Sequence, residues 1–292
     1  MSLPTVTVIV PHYNDVRGLE ACLTALTRQT YPAELVQLVV ADNNSNVPVT
    51  ALRDVIAERA ELVTVVERGA GPARNGGVEV ATGQVFAFTD SDCVPHERWL
   101  ESGVNALGSW DFIGGRVVVF VDDVEKMSDV EAFERVFAFD FKTYIEKKGF
   151  TGAGNLFCSR EVFEAVGGFR AEVSEDVEWS RRARRLGFRL GYAPDAVVAH
   201  PARRSWEELW RKWDRVNNET FKLYREQRLG RLRWTLRALA LPLSVVAHLP
   251  KIVLSDQLRS PAQRSAAMKI LLRIRMARMK HALSLVMKRN EK

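Results

Sequence analysis

Two acidic residues, Asp90 and Asp92, stand two positions apart directly after the apolar run at residues 85–88. Where a chain leaves the end of a strand, carboxylates at this spacing can reach one hard cation that also holds phosphate oxygens of a substrate. Alone, the triplet is more typical of a turn that caps the next helix, because Asp is a common turn residue. The preceding strand and two similar polar loops favour the metal-binding interpretation.

Those two loops also follow apolar runs: Pro-His-Tyr-Asn at residues 11–14 and Asp-Asn-Asn-Ser at residues 42–45. In open α/β sheets, ligands bind outside the carboxyl ends of the strands, so we expect all three polar segments at one edge of a sheet. Dinucleotide and P-loop sites need a glycine-rich turn after the first strand, and residues 11–14 do not provide one. Hydride transfer with a nicotinamide and P-loop hydrolysis therefore lose support.

The elements that must position these loops alternate between strand and helix patterns. Short apolar runs at residues 6–10, 36–40, 62–66 and 85–88 are typical of buried strands. Helices are predicted between them at residues 49–60 and 74–81, and one helix with a single buried side is marked by four residues: Leu19, Cys22, Leu23 and Leu26. This order predicts a doubly wound α/β sheet with right-handed crossovers.

The composition is that of a globular protein. The chain has 292 residues, 47% apolar and 27% charged, which is enough apolar material for one large domain or two small ones. Three cysteines, Cys22, Cys93 and Cys158, lack CxxC spacing, so we expect buried thiols rather than disulfides or a structural metal. The first residues lack the basic and apolar regions of a signal peptide, which favours a cytoplasmic location.

Charge is distributed unevenly along the chain. Residues 201–292 contain 22 Lys and Arg against 7 Asp and Glu, whereas residues 1–200 contain 20 against 29. A segment this basic is expected to meet an anionic partner, such as nucleic acid, phospholipid or a molecule that carries pyrophosphate.

Six motifs occur in a fixed order: VIVPHYND at 8–15, ADNNS at 41–45, GPARNGG at 71–77, TDSD at 89–92, TGAGNLFCSREVFEAVGGF at 151–169 and SEDVEWSRRARRLG at 174–187. In this order, over roughly residues 5–205, the sequence resembles the family 2 glycosyltransferases of GT-A fold. The resemblance implies a mixed sheet flanked by helices, a nucleotide-sugar donor, and Mg²⁺ or Mn²⁺ as cofactor. It also implies inverting transfer of a sugar.

The resemblance assigns donor-side roles residue by residue. The expected metal ligands are Asp92, Asp90 and His200, although a histidine at a strand end can equally bond to backbone. The expected nucleotide-sugar contacts are Pro11, Tyr13, Asn14, Asp42, Arg74, Asp90 and Ser91. These residue types suit the task, because an aromatic ring can stack on a base and a guanidinium offers a planar fork of donors to phosphate.

On the acceptor side, the resemblance assigns Asp176 as the catalytic base, with Glu175 as the alternative. A carboxylate there can take the proton of an acceptor hydroxyl as it attacks. The same acidic pair is also typical of a helix start capped by Ser174. The expected acceptor contacts are Gly152, Ala153, Gly154, Asn155 and Trp179, with a core position as the alternative for the tryptophan.

Polymerising relatives carry a tryptophan after the arginines of this last motif. Here Leu186 and Gly187 follow Arg185, which favours a single transfer over processive synthesis. Arg181, Arg184 and Arg185 are expected on one solvated helix face.

We divide the chain into a nucleotide-sugar-binding half at 1–105, an acceptor-binding and catalytic-base half of the same domain at 106–205, and a helical basic tail at 206–292. In the tail, the tryptophans at 206, 210 and 213 form one helical stripe that is expected to dock on the catalytic body. The apolar run at 238–247 is too short to span a membrane.

A basic amphipathic helix is predicted around residues 268–286. Such a helix suits an anionic membrane surface better than duplex DNA, so we predict peripheral attachment to the inner face of the cytoplasmic membrane and no nucleic-acid partner. The alternative is that the tail helices pack against each other or against a second subunit.

The predicted reaction is transfer of a sugar, with a UDP-sugar as the expected donor, to a hydroxyl of a lipid-linked or cell-surface glycan precursor. Two other classes remain open. A sugar nucleotidyltransferase uses a similar sheet and metal, but it usually carries a glycine-rich basic loop after the first strand, unlike residues 11–15. A non-catalytic binding protein whose basic tail holds nucleic acid is the second alternative.

Overall fold

The structure is a computed structural model that describes residues 2–287, so the last five residues of the predicted tail lie outside it. Eight strands form one sheet: β1 (Val6–His12), β2 (Val36–Asp42), β3 (Glu61–Thr64), β4 (Val85–Thr89), β5 (Val94–Pro95), β6 (Phe112–Phe120), β7 (Asn155–Ser159) and β8 (Leu190–Pro201). The sheet therefore contains each of the four strands that the apolar runs predict.

The strand order is β3-β2-β1-β4-β7-β6-β8-β5. The pairs β1–β2, β2–β3 and β1–β4 are parallel, with Val8 opposite both Leu38 and Ala87. The pairs β4–β7, β6–β7 and β5–β8 are antiparallel. Because β1, β2 and β4 are parallel neighbours, their carboxyl ends and the three polar loops lie at the same edge of this mixed sheet.

Helices connect and flank the strands. In chain order they are α1 (Val16–Leu26), α2 (Val49–Ile56), α3 (Ala70–Glu79), α4 (Trp99–Leu107), α5 (Asp129–Phe137), α6 (Phe141–Thr143), α7 (Arg160–Val166), α8 (Glu175–Arg185), α9 (Trp206–Arg225), α10 (Gly230–Ala240), α11 (Ser244–Val253) and α12 (Pro261–Met287). A 3₁₀ turn covers Ala33–Leu35, and a π-helical turn covers Tyr144–Lys148.

All residues of β1 and β4 are buried. Because successive side chains of a strand point to opposite sides of the sheet, these residues divide between two apolar clusters. Val8 and Val10 belong to one apolar cluster, which includes the buried side of α1. Ile9 and Phe86 belong to a second cluster, which includes residues of α7 and α8. The buried residues of α1 are the four that the helical spacing predicts.

Two of the predicted helices have bounds that differ from the sequence-based expectation, and the one predicted at 74–81 covers Ala70–Glu79. The helix predicted at 74–81 begins four residues earlier, at Ala70, because Pro72 is tolerated in a first turn where its missing N–H has no intrahelical partner. The helix predicted at 49–60 ends at Ile56, because Ala57 adopts a positive φ of 46° that cannot continue a right-handed helix.

The chain divides into two compact units. The first contains the residues up to Val118 and Phe139–His200, and the second contains Val119–Ala138 and the residues from Pro201 onward. The sequence places residues 119–138 within the predicted catalytic half, whereas the structure groups α5 with the C-terminal helices. Its Val130 and Phe133 pack in one cluster with residues of α12.

Within the second unit, the three predicted tryptophans of α9 pack against the apolar cluster that α5, α11 and α12 share. On α12, Leu271 and Ala282 are buried, and Arg278 is 4% exposed with its guanidinium 3.5 Å from the centre of the Trp213 ring. These buried positions of α12 are as expected if the tail helices pack against each other. Leu272 of the same predicted stripe is 53% exposed, and contact of α12 with a membrane surface stays a prediction.

Within residues 2–287, no single helix combines the length and apolar content needed to cross a membrane. Helices α10 and α11 meet that test only as a pair, with a bend of 50° between them.

Candidate active site

Asp90 and Asp92 follow β4, whose five residues are all buried, and both carboxylates are partly exposed at the edge of the sheet. Ser91 between them is 9% exposed. One donor atom from each of Asp90, Asp92 and Cys93 lies within 4.8 Å of the others. This is a candidate metal centre.

The donor set favours a hard cation. Burial, reinforced by the two nearby aspartates, raises the pKa of the Cys93 thiol well above its ordinary value. Cysteine binds metals as the thiolate, and this shift disfavours the thiolate of Cys93 before a metal binds. The oxygen donors of Asp90 and Asp92 remain, and Mg²⁺ and Mn²⁺ prefer oxygen.

Arg74 on α3 links the two acidic motifs. Its Nη2 donates to Oδ1 of Asp90 at 2.6 Å, and its Nη1 donates to Oε1 of Glu175 at 2.8 Å. Burial disfavours the charge of this guanidinium, which is 3% exposed, but the two carboxylates outweigh that effect and raise the pKa of Arg74. In this structure Arg74 thus positions carboxylates, whereas the sequence predicts a contact with phosphates.

The second acidic motif begins helix α8. Ser174 is the N-cap residue, as the sequence predicts, and Glu175 and Asp176 lie in the first turn, where the helix dipole favours negative charge. Asp176 is partly exposed, and its Oδ1 accepts a hydrogen bond from the backbone N–H of Val177 at 2.7 Å.

His200, on β8, lies beside the first acidic motif. Its Nε2 is 3.3 Å from Oδ2 of Asp92, and its ring centre is 4.4 Å from that of Phe139. Phe139 adopts a φ of 58°, which is rare for a bulky residue. The structure therefore brings His200 to Asp92, next to the candidate metal centre.

His12 and Asp42 form a buried pair at the ends of β1 and β2. Nδ1 of His12 donates to Oδ1 of Asp42 at 2.8 Å, while Nε2 accepts the backbone N–H of Asp15 at 3.1 Å. These partners assign a neutral imidazole with its proton on Nδ1. Burial alone would raise the pKa of Asp42, but hydrogen bonds from Ser45 and His12 outweigh it and lower the pKa. Sequence reasoning gave His12 no role of its own, although this residue lies in the polar segment that follows the predicted strand at residues 6–10.

The loop after β1 presents one large side chain. Tyr13 is 57% exposed, so its ring is available to stack on a base, whereas Pro11 is buried within the strand. Asn14, at a φ of 57°, ties this loop to the loop after β2: its N–H donates to Oγ of Ser45, and its Oδ1 accepts the N–H of Asn46.

The predicted acceptor loop precedes and enters β7. Gly152 and Ala153 are buried, and Gly154 is partly exposed. A Cβ added to Gly154 would lie 2.7 Å from Oδ2 of Asp90, so a larger residue here would require that carboxylate to shift. Of residues 152–155, Gly154 is the one that borders the candidate metal centre.

Asn155 and Trp179 occupy the interior instead. The side chain of Asn155 accepts the indole N–H of Trp99 at 2.9 Å and donates to the carbonyl of Ala196 at 2.9 Å. Trp179 is 0% exposed and donates its indole N–H to the carbonyl of Gly167. The bonds of Asn155 thus connect α4 to β8. Trp179 takes the core position that the sequence leaves open as the alternative. Both side chains are therefore part of the interior rather than of an acceptor surface.

The chain matches the model of the family described as glycosyl transferase family 2 over residues 7–171. The glycosyltransferase AglE of Haloferax volcanii is 32% identical over 272 residues, which are 90% of this chain and 88% of that protein. The pre-mycofactocin glycosyltransferase of Mycobacterium tuberculosis is 27% identical over 224 residues. This match covers 69% of this chain and 44% of that protein, so the chain spans less than half of its length.

Among solved structures, the chain is similar to the mannosyltransferase PcManGT from Pyrobaculum calidifontis in complex with GDP-Man and Mn²⁺. The TM-score is 0.63 at 20% identity, over 98% of this chain and 88% of that chain. This likeness confirms the GT-A fold that the motifs predict.

Proposed function

This chain belongs to glycosyl transferase family 2, and from that premise we propose that it transfers sugar with inversion at the anomeric carbon. It is a glycosyltransferase that takes its sugar from a nucleotide-sugar donor. The proposed donor is a UDP-sugar, and the proposed acceptor is a hydroxyl of a lipid-linked or cell-surface glycan precursor, with one sugar added per reaction. The family assignment replaces the alternatives of a nucleotidyltransferase and a non-catalytic binding protein.

The observation that carries this proposal is the bridge made by Arg74. One guanidinium holds Asp90 of the donor-side motif and Glu175 of the acceptor-side motif at 2.6 and 2.8 Å. These carboxylates are 85 residues apart in sequence. Because both bond to one rigid, planar guanidinium, that group fixes the distance between them in space. Such a connection is expected where the donor and the attacking hydroxyl must be aligned.

We assign the base to Asp176. Because Glu175 is engaged in the ion pair with Arg74, its carboxylate is held toward Asp90. Asp176 lies next to it in the first turn of α8 and is partly exposed. A carboxylate is a far weaker base than an alkoxide, so Asp176 takes the hydroxyl proton during the attack on the anomeric carbon and not before it.

We propose that Asp92 and Asp90 hold Mg²⁺ or Mn²⁺ together with the donor diphosphate. Both aspartates offer oxygen donors at the rim of the sheet, and His200 lies against Asp92. The presence of Mn²⁺ with GDP-Man in the PcManGT complex supports this choice. A bound divalent cation would neutralise the charge that develops on the leaving diphosphate.

The nucleotide would lie along the carboxyl ends of β1 and β2. The exposed ring of Tyr13 can stack on the base, and the ionised Asp42 can accept hydrogen bonds from the base or the ribose. Residues 1–105 would thereby bind the donor, and residues 106–205 would supply the base and the acceptor side.

We also propose that the chain makes peripheral contact with the anionic inner face of the cytoplasmic membrane, where a lipid-linked acceptor would be found. The 22 basic residues against 7 acidic ones at residues 201–292 support this contact.

A screen of UDP-, GDP- and dTDP-sugars with Mn²⁺ tests the reaction. Thermal stabilisation reports donor binding, and product release with NMR of the anomeric proton reports transfer and stereochemistry. Asp92→Ala should lose donor-dependent stabilisation. Asp176→Asn should keep it, while transfer falls by about 10²- to 10⁴-fold because the base is lost.

Glu178→Gln is the matched control, because Glu178 lies on the same helix and pairs with Arg182 at 2.9 Å. It should retain transfer. Undiminished turnover by Asp176→Asn would overturn the assignment of the base, and a product with retained configuration would overturn inversion.

A further inference from the structure

Helices α10 and α11 present a row of exposed apolar side chains. Leu232, Leu236 and Leu239 follow one another at helical spacing on α10, and Leu243 and Val246 continue the series. Each of these five side chains is between 52% and 76% exposed. We call the surface formed by these five residues the α10–α11 face. Exposed apolar side chains grouped in one stretch of chain in this way are unfavourable in water and mark an interaction site.

The opposite side of α10 is already packed. Trp234 and Ala238 are 1% exposed, and they share a cluster with Phe221 and Ala282. The indole N–H of Trp234 donates to the carbonyl of Ala282 at 2.9 Å. A helix that buries one apolar side in its own unit does not need a second apolar side for folding. The α10–α11 face therefore requires another explanation.

Charge identifies the class of partner. The sequence from Gln227 to Ser255 contains no Asp or Glu and five basic residues. All five are exposed: Arg228, Arg231, Arg233, Arg237 and Lys251. An apolar face within a stretch of chain whose charged residues are all basic complements a surface that combines hydrocarbon with negative charge, which is the surface of an anionic bilayer.

We propose that the α10–α11 face docks on an anionic lipid bilayer, with both helices lying in the plane of the interface. This inference rests on the proposed membrane contact and narrows it to one surface and one lipid class. The 50° bend between the helices and their basic residues disfavour a span. Leu271 and Ala282 of the predicted α12 stripe are buried, so we place docking on α10 and α11 instead.

Co-sedimentation of the full chain with vesicles tests the proposal. The wild-type protein should bind vesicles of phosphatidylglycerol mixed with phosphatidylcholine and should bind pure phosphatidylcholine less, with binding weakened by salt. The double variant Leu236→Glu, Leu243→Glu should lose at least about tenfold in binding, because two apolar contacts become acidic. Arg231→Gln combined with Arg233→Gln should lose the preference for anionic vesicles.

Leu272→Glu is the matched control, because Leu272 is 53% exposed on α12 and lies outside the α10–α11 face. It should bind as the wild type does. Equal binding by the Leu236→Glu, Leu243→Glu variant would overturn the α10–α11 face while leaving membrane contact in place.

Three further outcomes decide the remaining points. Failure of the wild type to bind any vesicle would overturn the proposed membrane contact together with this inference, whereas sugar transfer is judged separately on a water-soluble acceptor. A wild-type dimer that the Leu236→Glu, Leu243→Glu variant dissociates, without lipid binding by either protein, would assign the face to a second copy. Resistance of bound protein to alkaline carbonate extraction would overturn the in-plane arrangement.

Discussion

Each unit of this molecule contains a three-membered charge cluster, and the two clusters are built in opposite ways. In the first unit, a buried cation, Arg74, lies between the carboxylates of Asp90 and Glu175. In the second unit, a buried carboxylate, Glu134, lies between Arg203 at 3.0 Å and Lys212 at 3.4 Å.

Exposure separates the roles of these clusters. The Asp90 side chain is 39% exposed, so it can bind a ligand on its solvent side while its Oδ1 stays bonded to the buried Arg74. We call Asp90, Arg74 and Glu175 the outward cluster. Glu134 is only 2% exposed, and its partners Arg203 and Lys212 are 21% and 17% exposed, so the second cluster is mostly buried. We call these three residues the inward cluster. A buried charge needs its countercharge in both clusters, and the first cluster in addition exposes a carboxylate to solvent.

The largest expected effect is on the inward cluster. Glu134→Ala removes the carboxylate that pairs with two mostly buried cations, and it should lower the free energy of unfolding by about 3–5 kcal/mol. Urea denaturation measures this loss. Glu125→Ala is the control in the same unit: Glu125 is 68% exposed and pairs with Arg259, so its loss should cost less than about 1 kcal/mol. Equal costs would remove the distinction between the clusters.

The outward cluster should respond in catalysis. Arg74→Gln leaves Asp90 and Glu175 without the guanidinium between them, and kcat should fall by about 100-fold once activity is corrected for the folded fraction. Arg74→Lys should recover part of this loss, because an ammonium keeps the charge but lacks the fork.

Arg182→Gln is the control for Arg74→Gln. Arg182 bonds to Glu178 and to the carbonyls of Val166 and Gly168, and it touches none of the carboxylates assigned to the site. Its removal should lower stability without changing kcat. A matching loss of kcat in this variant would show that Arg74 acts through general stability.

The smallest expected effect concerns pH. Burial lowers the pKa of Lys212 to about 8 from 10.5, although Glu134 partly opposes the shift. Between about pH 8 and pH 10.5, Lys212 is protonated to a larger extent in the unfolded chain than in the folded one, so the free energy of unfolding rises with pH. Below about pH 8 both states are charged, and the cost of burying the ammonium is fully present.

Lys212→Met removes this dependence. From pH 8 to 10.5 the wild type should therefore gain on the order of 1–3 kcal/mol relative to the variant. Lys222→Met, at an exposed position of the same helix, should show the wild-type profile. Parallel profiles for the wild type and Lys212→Met in urea denaturation would contradict a depressed pKa.

Local patterns in the sequence predict much of the first unit. Continuous apolar runs and helical spacing are properties of short segments, and they identify β1, β2, β4 and the buried side of α1. The bounds of α2 depend on a positive φ at Ala57, which composition does not signal. The placement of α5 with the C-terminal helices depends on contacts with α12, far along the chain, which local patterns do not contain.

The candidate site divides in the same way. Motif order identifies the acidic residues at 90, 92, 175 and 176, and their roles remain predictions. It does not reveal that Asn155 bonds to Trp99 or that His12 bonds to Asp42, because a side-chain partner is set by geometry. For the same reason, the sequence predicts Arg74 as a phosphate contact, whereas the structure pairs it with two carboxylates.

The sequence by itself determined the family, the alternating sheet and the places where polar residues follow strands, because these depend on residue order and short-range periodicity. The tertiary structure decided which charges meet, which helix side is covered and which apolar surface stays exposed. Burial and distance depend on elements that are remote in the chain. That is why α12, amphipathic in sequence, buries Leu271 and Ala282 within its own unit, while α10 and α11 carry the exposed apolar face.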